Sequence, residues 1–96
     1  MADGWKSAGR EGNISESIVS IRRQNEQKFG SWENTTAGGR VYRLKIDGKL
    51  GWSAVYLKEV DAFEKTIRFW QEIYDDKNVL REIHEKFPVD LGHRKL

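Results

Sequence analysis

The chain contains two histidines, His84 and His93, and both fall within its last thirteen residues. Imidazole is the side chain that most readily gives and takes a proton near neutral pH. Cleavage of RNA through its 2′-hydroxyl needs a base, an acid and a cation beside the phosphate. His84, with Glu72 or Glu82 and with Arg68 or Lys86, could fill those roles from neighbouring strands. His93 becomes a second proton carrier if the C-terminal segment folds back. The cation would stabilise the charge that develops on the phosphate. The candidate catalytic residues are therefore His84, Glu82, Glu72 and His93. The competing reading is a pair of surface histidines with no chemical task.

A second set of residues could bind rather than react. In an alternating strand pattern, Arg43, Lys45, Arg68, Trp70, Glu72, Tyr74, Glu82, His84 and Lys86 share one sheet face. Tyr56 and Trp52 join them if the register of their strand allows. Aromatic rings among cations form a platform for unpaired bases, with the rings stacking and Arg and Lys holding phosphates. Arg43, Arg68, Trp70, Tyr74 and Lys86 are the candidate nucleic-acid or partner contacts. The alternative is an ordinary solvated face, its rings shielded by long Lys and Arg stems and its charges paired across strands.

Other chemistries find little support. The chain has no cysteine, which excludes disulfides, zinc–thiolate sites and thiol nucleophiles. Two histidines nine residues apart match no common metal-ligand spacing, although Glu82, His84 and His93 could in principle assemble a site. No metal and no cofactor is expected. Gly38-Gly39 precedes a strand and not a helix, so it lacks the geometry of a phosphate-binding loop. No serine-nucleophile motif is present.

The elements that must position these residues follow from periodicity. A helix is expected over residues 13–29, with Asn13 as its cap and Glu16 as the capping-box partner. Ile14, Ile18, Ile21 and Phe29 form its apolar stripe, which Asn25 interrupts. Gly30 is placed to end it in a left-handed turn. Residues 30–39 read as a loop. Four strands follow, over residues 40–46, 52–60, 65–74 and 79–87, and Pro88 closes the last. The second alternates poorly, as a strand covered on both faces or carrying a bulge does. Residues 89–96 form a short edge strand or fray. The expected fold is α+β: one N-terminal helix packed on a four-stranded antiparallel β-meander. The helix should cover Tyr42, Leu44, Ile46, Ile67, Phe69, Ile73, Val79, Ile83 and Phe87. Residues 1–12 are expected to be a flexible tail in which Trp5 could dock, and residues 13–96 a single domain.

A helix followed by a four-stranded antiparallel sheet also occurs among small bacterial ribonuclease toxins. Gly92-His93-Arg94-Lys95 is similar to a stretch near the end of some of them. The similarity spans four residues and the layout, and it assigns no catalytic residue.

Composition bounds the partners. The 96 residues carry 17 Lys and Arg against 15 Asp and Glu, a net charge of +2. That is not the excess of a dedicated nucleic-acid binder, so phosphate recognition must come from local placement. Hydrophobic residues make up 38 %, and eleven aromatics offset their scarcity. No apolar run approaches a membrane span, and Met1 to Lys6 holds no signal-peptide core, so a cytoplasmic location without membrane contact is expected. Asn34-Thr35-Thr36 matches a glycosylation acceptor but reads as loop. The functional expectation is an RNA-acting domain, binding single-stranded RNA or cleaving it. The alternatives are a protein-interaction module or a small homodimeric domain.

Overall fold

One turn, made three times, sets the topology. In the computed structural model, which describes the backbone of residues 9–96 and the side chains of 17–96, residues 35–39, 61–65 and 75–79 close alike. The first residue's N–H donates to the fifth residue's carbonyl, at 3.0, 2.9 and 3.0 Å for Thr35, Asp61 and Asp75. The fourth residue's N–H returns to the first residue's carbonyl, at 3.1, 3.0 and 3.0 Å. Thr35 Oγ1, Asp61 Oδ1 and Asp75 Oδ1 each accept from the fifth N–H as well. Gly38, Glu64 and Asn78 hold the left-handed position, with φ of 87°, 64° and 63°. This is the three-residue hairpin loop, a type I turn followed by a left-handed residue.

The chain runs α1 (Gly9–Phe29), β1 (Ser31–Asn34), β2 (Arg40–Asp47), β3 (Ser53–Val60), β4 (Thr66–Tyr74), β5 (Leu80–Phe87) and β6 (Gly92–Lys95). The strands form one antiparallel sheet in chain order. The α+β class stands, but the sheet has six strands and not four. β1 lies in the segment read as a loop: its four residues are all exposed, so no buried alternation marks it. β6 pairs with β5 as the edge strand. No helix among the described residues is long and apolar enough to cross a membrane.

α1 begins at Gly9, four residues before the expected cap, so Asn13 is interior to the helix. A cap contributes only about 1 kcal/mol, and the helix-forming Arg10 and Glu11 extend the helix upstream. Residues 1–8 of the expected tail, Trp5 among them, lie outside the described residues, and residues 9–12 are helical. Gly30, at φ 84°, ends α1 as expected, its N–H donating to the Glu26 carbonyl at 2.9 Å.

Among the described side chains, the contacts of the helix with the sheet lie mainly in its last two turns and are largely polar. Ile21 of the expected stripe is 42 % exposed, whereas the interrupting Asn25 is buried. Arg22 Nε donates to Glu64 Oε2 at 3.1 Å, Asn25 Nδ2 to Glu64 Oε1 at 3.3 Å, and Arg40 pairs with Glu26 at 2.6 Å. Phe29 supplies the apolar contact, joining Tyr42 and Val60 in the buried core, with Leu44, Tyr56 and Phe69 packed around them. The principal extents are 57, 24 and 21 Å.

Gly39 is the tightest backbone contact. A Cβ there would lie 2.0 Å from the Val60 carbonyl oxygen. Gly39→Ala should therefore lower unfolding stability by about 2–3 kcal/mol, read as a shifted denaturation midpoint at unchanged slope. An unchanged midpoint would mean that β2 and β3 can part at no cost.

Bulges decide which side chains share a face. Against β4, β5 carries two unpaired residues: Arg81, between Leu80 and Glu82, and Lys86, between Glu85 and Phe87. β4 itself carries one, Ile67, opposite the step from Glu59 to Val60. Each extra residue reverses the alternation beyond it. Glu82 and His84 consequently face the helix side with Ile73 and Gln71, while Ile83 and Glu85 face away with Glu72 and Trp70. Of the residues expected beneath the helix, Ile83 lies on the opposite face. Ile67 is an exposed bulge residue and Val79 belongs to an exposed turn.

Candidate functional site

The open face does not gather the side chains assigned to it. Glu82 and His84 lie on the helix-bearing face, as does Lys86, whose Nζ sits 5.3 Å from the Tyr56 ring centre. What remains on the open face is largely self-paired. Arg68 stacks on Trp70 at 3.8 Å and forms a two-pronged pair with Glu85, its Nε donating at 2.9 Å. That hydrogen bond leads the causes raising the Arg68 pKa and holds Glu85 below the usual carboxylate range. Glu72 accepts from Trp70 Nε1 at 3.0 Å and from the Tyr74 hydroxyl at 2.7 Å, which holds that phenol protonated to higher pH. Trp70 is only 8 % exposed, too little to stack on a base. Arg43 is exposed there, beside Lys45, which approaches Asp47 at 3.9 Å. Glu72 thus lies on the opposite face from both histidines: it pairs with Ile83, next to His84, because the bulge at Arg81 shifts the register of β5 by one residue.

The histidines do come together. After β5 the chain turns back, with Leu91 N–H on the Glu85 carbonyl and Gly92 N–H on Asp90 Oδ1, both at 2.9 Å. β6 then places His93 directly opposite His84. The ring centres are 4.4 Å apart and the planes tilt by 50°. Each ring has its own carboxylate: His84 Nε2 lies 2.6 Å from Asp90 Oδ1, and His93 Nδ1 lies 3.3 Å from Glu82 Oε1. Asp90 is held below the usual carboxylate range, first by the Gly92 N–H, then by His84, with the Lys86 charge contributing. The remaining ring nitrogens, His84 Nδ1 and His93 Nε2, make no side-chain hydrogen bond among the described residues. His84 is 16 % exposed and His93 47 %. Two imidazoles, one hydrogen-bonded to Asp90 and one near Glu82, each with one nitrogen free of side-chain partners among the described residues, have the chemistry to give and take a proton.

Beside the pair a groove runs between the last turn of α1 and the sheet. Phe29, Tyr56 and Phe69 line it, with Lys28 and Lys58 at its sides. Tyr56 and Phe69 stack in near-parallel fashion, centres 6.4 Å apart. Tyr56 is tied toward the histidines by Gln71, which donates to its hydroxyl at 3.1 Å and is the cross-strand partner of His84. Lys86 stands over both rings of the floor. Among the described residues none of these three lysines has a carboxylate within 4 Å. Lys58 donates instead to the neutral Asn25 Oδ1 at 3.0 Å. Its pKa is lowered, first by burial and then by the charge of Lys28, which Glu64 offsets only in part. Positive charge is concentrated here with no carboxylate in direct contact; Glu64 and Asp90 act on it only from beyond 4 Å.

Of the nine residues singled out in the sequence, the structure joins His84, His93 and Glu82, with Lys86 alongside. Arg43, Arg68, Trp70, Glu72 and Tyr74 lie on the other face. Sequence reasoning missed Asp90, Lys28, Lys58 and Phe69. Asp90 had a local signal, since Asp two residues before Gly is the pattern of a side-chain-capped turn. The lysines had none, because α1 and β3 are distant in sequence. Among the described residues no three His, Asp or Glu side chains converge as metal ligands. No family model matches the chain, and no curated protein or solved structure is detectably similar to it.

Proposed function

We propose that this chain acts on RNA and cleaves it through the 2′-hydroxyl at the His84–His93 pair. The observation that carries this reading is the pair itself: two imidazoles 4.4 Å apart, His84 held by Asp90 and His93 with Glu82 at 3.3 Å, beside three lysines with no carboxylate within 4 Å. One neutral imidazole takes the proton of the 2′-hydroxyl. The freed oxygen attacks phosphorus, and the bond from phosphorus to the 5′-oxygen breaks. The other imidazole, protonated, gives its proton to that leaving oxygen. The products are a 2′,3′-cyclic phosphate and a 5′-hydroxyl, with one proton taken and one returned. Lys86 supplies positive charge where the phosphorane develops.

Incubation with a single-stranded RNA of mixed sequence should yield fragments ending in 2′,3′-cyclic phosphate. A strand with 2′-deoxyribose at a cleavage position should remain intact there. Equal cutting of a fully 2′-deoxy strand would overturn the mechanism, and folded protein that cuts no RNA would overturn the activity. A protein-contact role is the second reading. It draws on the free edge of β1 and on the hairpin tip at Leu50, which is 90 % exposed. Binding of that kind depends weakly on salt, whereas phosphate binding falls steeply as salt rises.

A further inference from the structure

We infer that the groove under the last turn of α1 is a subsite for one unpaired nucleotide of a nucleic-acid strand, next to the position cut by the histidine pair. The inference rests on the proposed RNA reading and adds a substrate class to it: single strands, not duplexes. The floor is the Tyr56–Phe69 ring pair and the wall is Phe29, so an inserted base meets aromatic surface on more than one side. Lys28, Lys58 and Lys86 surround that floor, and none has a carboxylate partner among the described residues.

An apolar peptide would cover the rings but leave three ammonium groups uncompensated, one of them already partly desolvated. A small anion would satisfy the charges and leave the rings bare. A nucleotide within a strand supplies both, a flat base and a phosphate on either side.

The spacing also fits. Phe69 and Gln71 are neighbours on one face of β4, about 7 Å apart, and Gln71 is opposite His84. The groove is therefore about one nucleotide from the histidines along an extended strand. Lys28 and Phe29 of the last helix turn wall the floor, and a base that is to contact both the Phe29 wall and the ring floor must leave its stack, which a single strand does at lower cost than a duplex.

The test is a titration that does not depend on cleavage. The full chain is titrated with a 2′-deoxy single strand of about twelve nucleotides, with the matching duplex, and with a mononucleotide. Amide shifts are followed by NMR at low and moderate salt. Lys58→Met and Lys86→Met are compared with Lys45→Met on the opposite face, and native spectra confirm each fold. The single strand should shift Phe29, Lys58 and Phe69, and bind about tenfold more tightly than the duplex. Each groove variant should weaken binding about tenfold and flatten the salt dependence, one charged contact being lost. Lys45→Met should match the parent. Duplex and single strand binding alike would overturn the inference, as would unchanged affinity in both groove variants. A mononucleotide that binds as tightly as the strand would assign the groove to a free nucleotide and overturn it too. Strand binding in the groove without RNA cleavage would overturn only the catalytic reading. Cleavage with groove variants unaffected would overturn only the subsite.

Discussion

His84→Ala is expected to lower RNA cleavage about a thousandfold while leaving the fold intact. His84 lies on β5 near the sheet edge, and its side chain bonds Asp90 and not the core. Its loss removes the proposed proton carrier and a largely enclosed ring packed on His93, so native dispersion is checked alongside the rate. His93→Ala should cost a similar factor, because the mechanism uses one imidazole as base and one as acid. The double variant should be no slower than the worse single, since residues that act as a unit are not additive. Cleavage by the parent protein should show a pH–rate profile with an acid limb and an alkaline limb. Each single variant should lose one of them. Asp90→Asn keeps the ring but exchanges the carboxylate that orients it, so it should lower the rate less than His84→Ala does. Full cleavage by the His84→Ala protein would remove His84 from the mechanism. A loss of cleavage together with a loss of native dispersion would mean that the side chain holds the β6 turn.

The meeting of the two histidines can be anticipated from the sequence because histidine is scarce in this chain and both copies sit near one end. Their surroundings cannot. Alternation within each strand puts Tyr42, Leu44, Phe69 and Ile73 on one face, as the register has them, but the bulges at Arg81 and Lys86 reset the faces of β5. A bulge is one extra residue with no compositional mark, so the charged residues of β5 were assigned to the wrong side of the sheet. The helix shows the opposite failure. Of its expected stripe Phe29 is buried and Ile21 is exposed, while Asn25, the expected interruption, is the centre of the interface. A buried Asn is acceptable because Glu64 accepts from its amide and Lys58 donates to its oxygen. Both partners lie more than thirty residues away. β1 escaped notice for a simpler reason: an exposed edge strand has no buried side to alternate.

Glu64 carries the second large prediction. It occupies the left-handed position of its turn, where the two sister turns have Gly38 and Asn78. Glutamate is a poor residue for that backbone, so Glu64→Gly should relieve the turn by about 1 kcal/mol. The opposite outcome is expected, a net loss of about 2–3 kcal/mol. The Glu64 carboxylate is fully enclosed and accepts from the Tyr42 hydroxyl at 2.6 Å, from Asn25 and from Arg22. Removing it leaves the buried Tyr42 hydroxyl and Asn25 amide without their acceptor. Burial alone would raise the carboxyl pKa, but the donations from Tyr42, Asn25 and Arg22 outweigh it and hold the group below its ordinary value. A carboxylate lowered on folding contributes stability above its unfolded pKa of about 4.3 and loses it as the pH falls through the folded value. The docking of α1 should therefore loosen in acid, and Glu64→Gly should abolish that dependence on pH. Amide exchange in residues 22–29 reads both effects, and a Glu64→Gly protein more stable than the parent would show that turn strain dominates. The consequence reaches the groove, because the same last turn of α1 carries Lys28 and Phe29. Single-strand affinity should fall with helix protection, in acid for the parent and at neutral pH for Glu64→Gly. Affinity that holds while protection falls would mean that the sheet alone binds the strand.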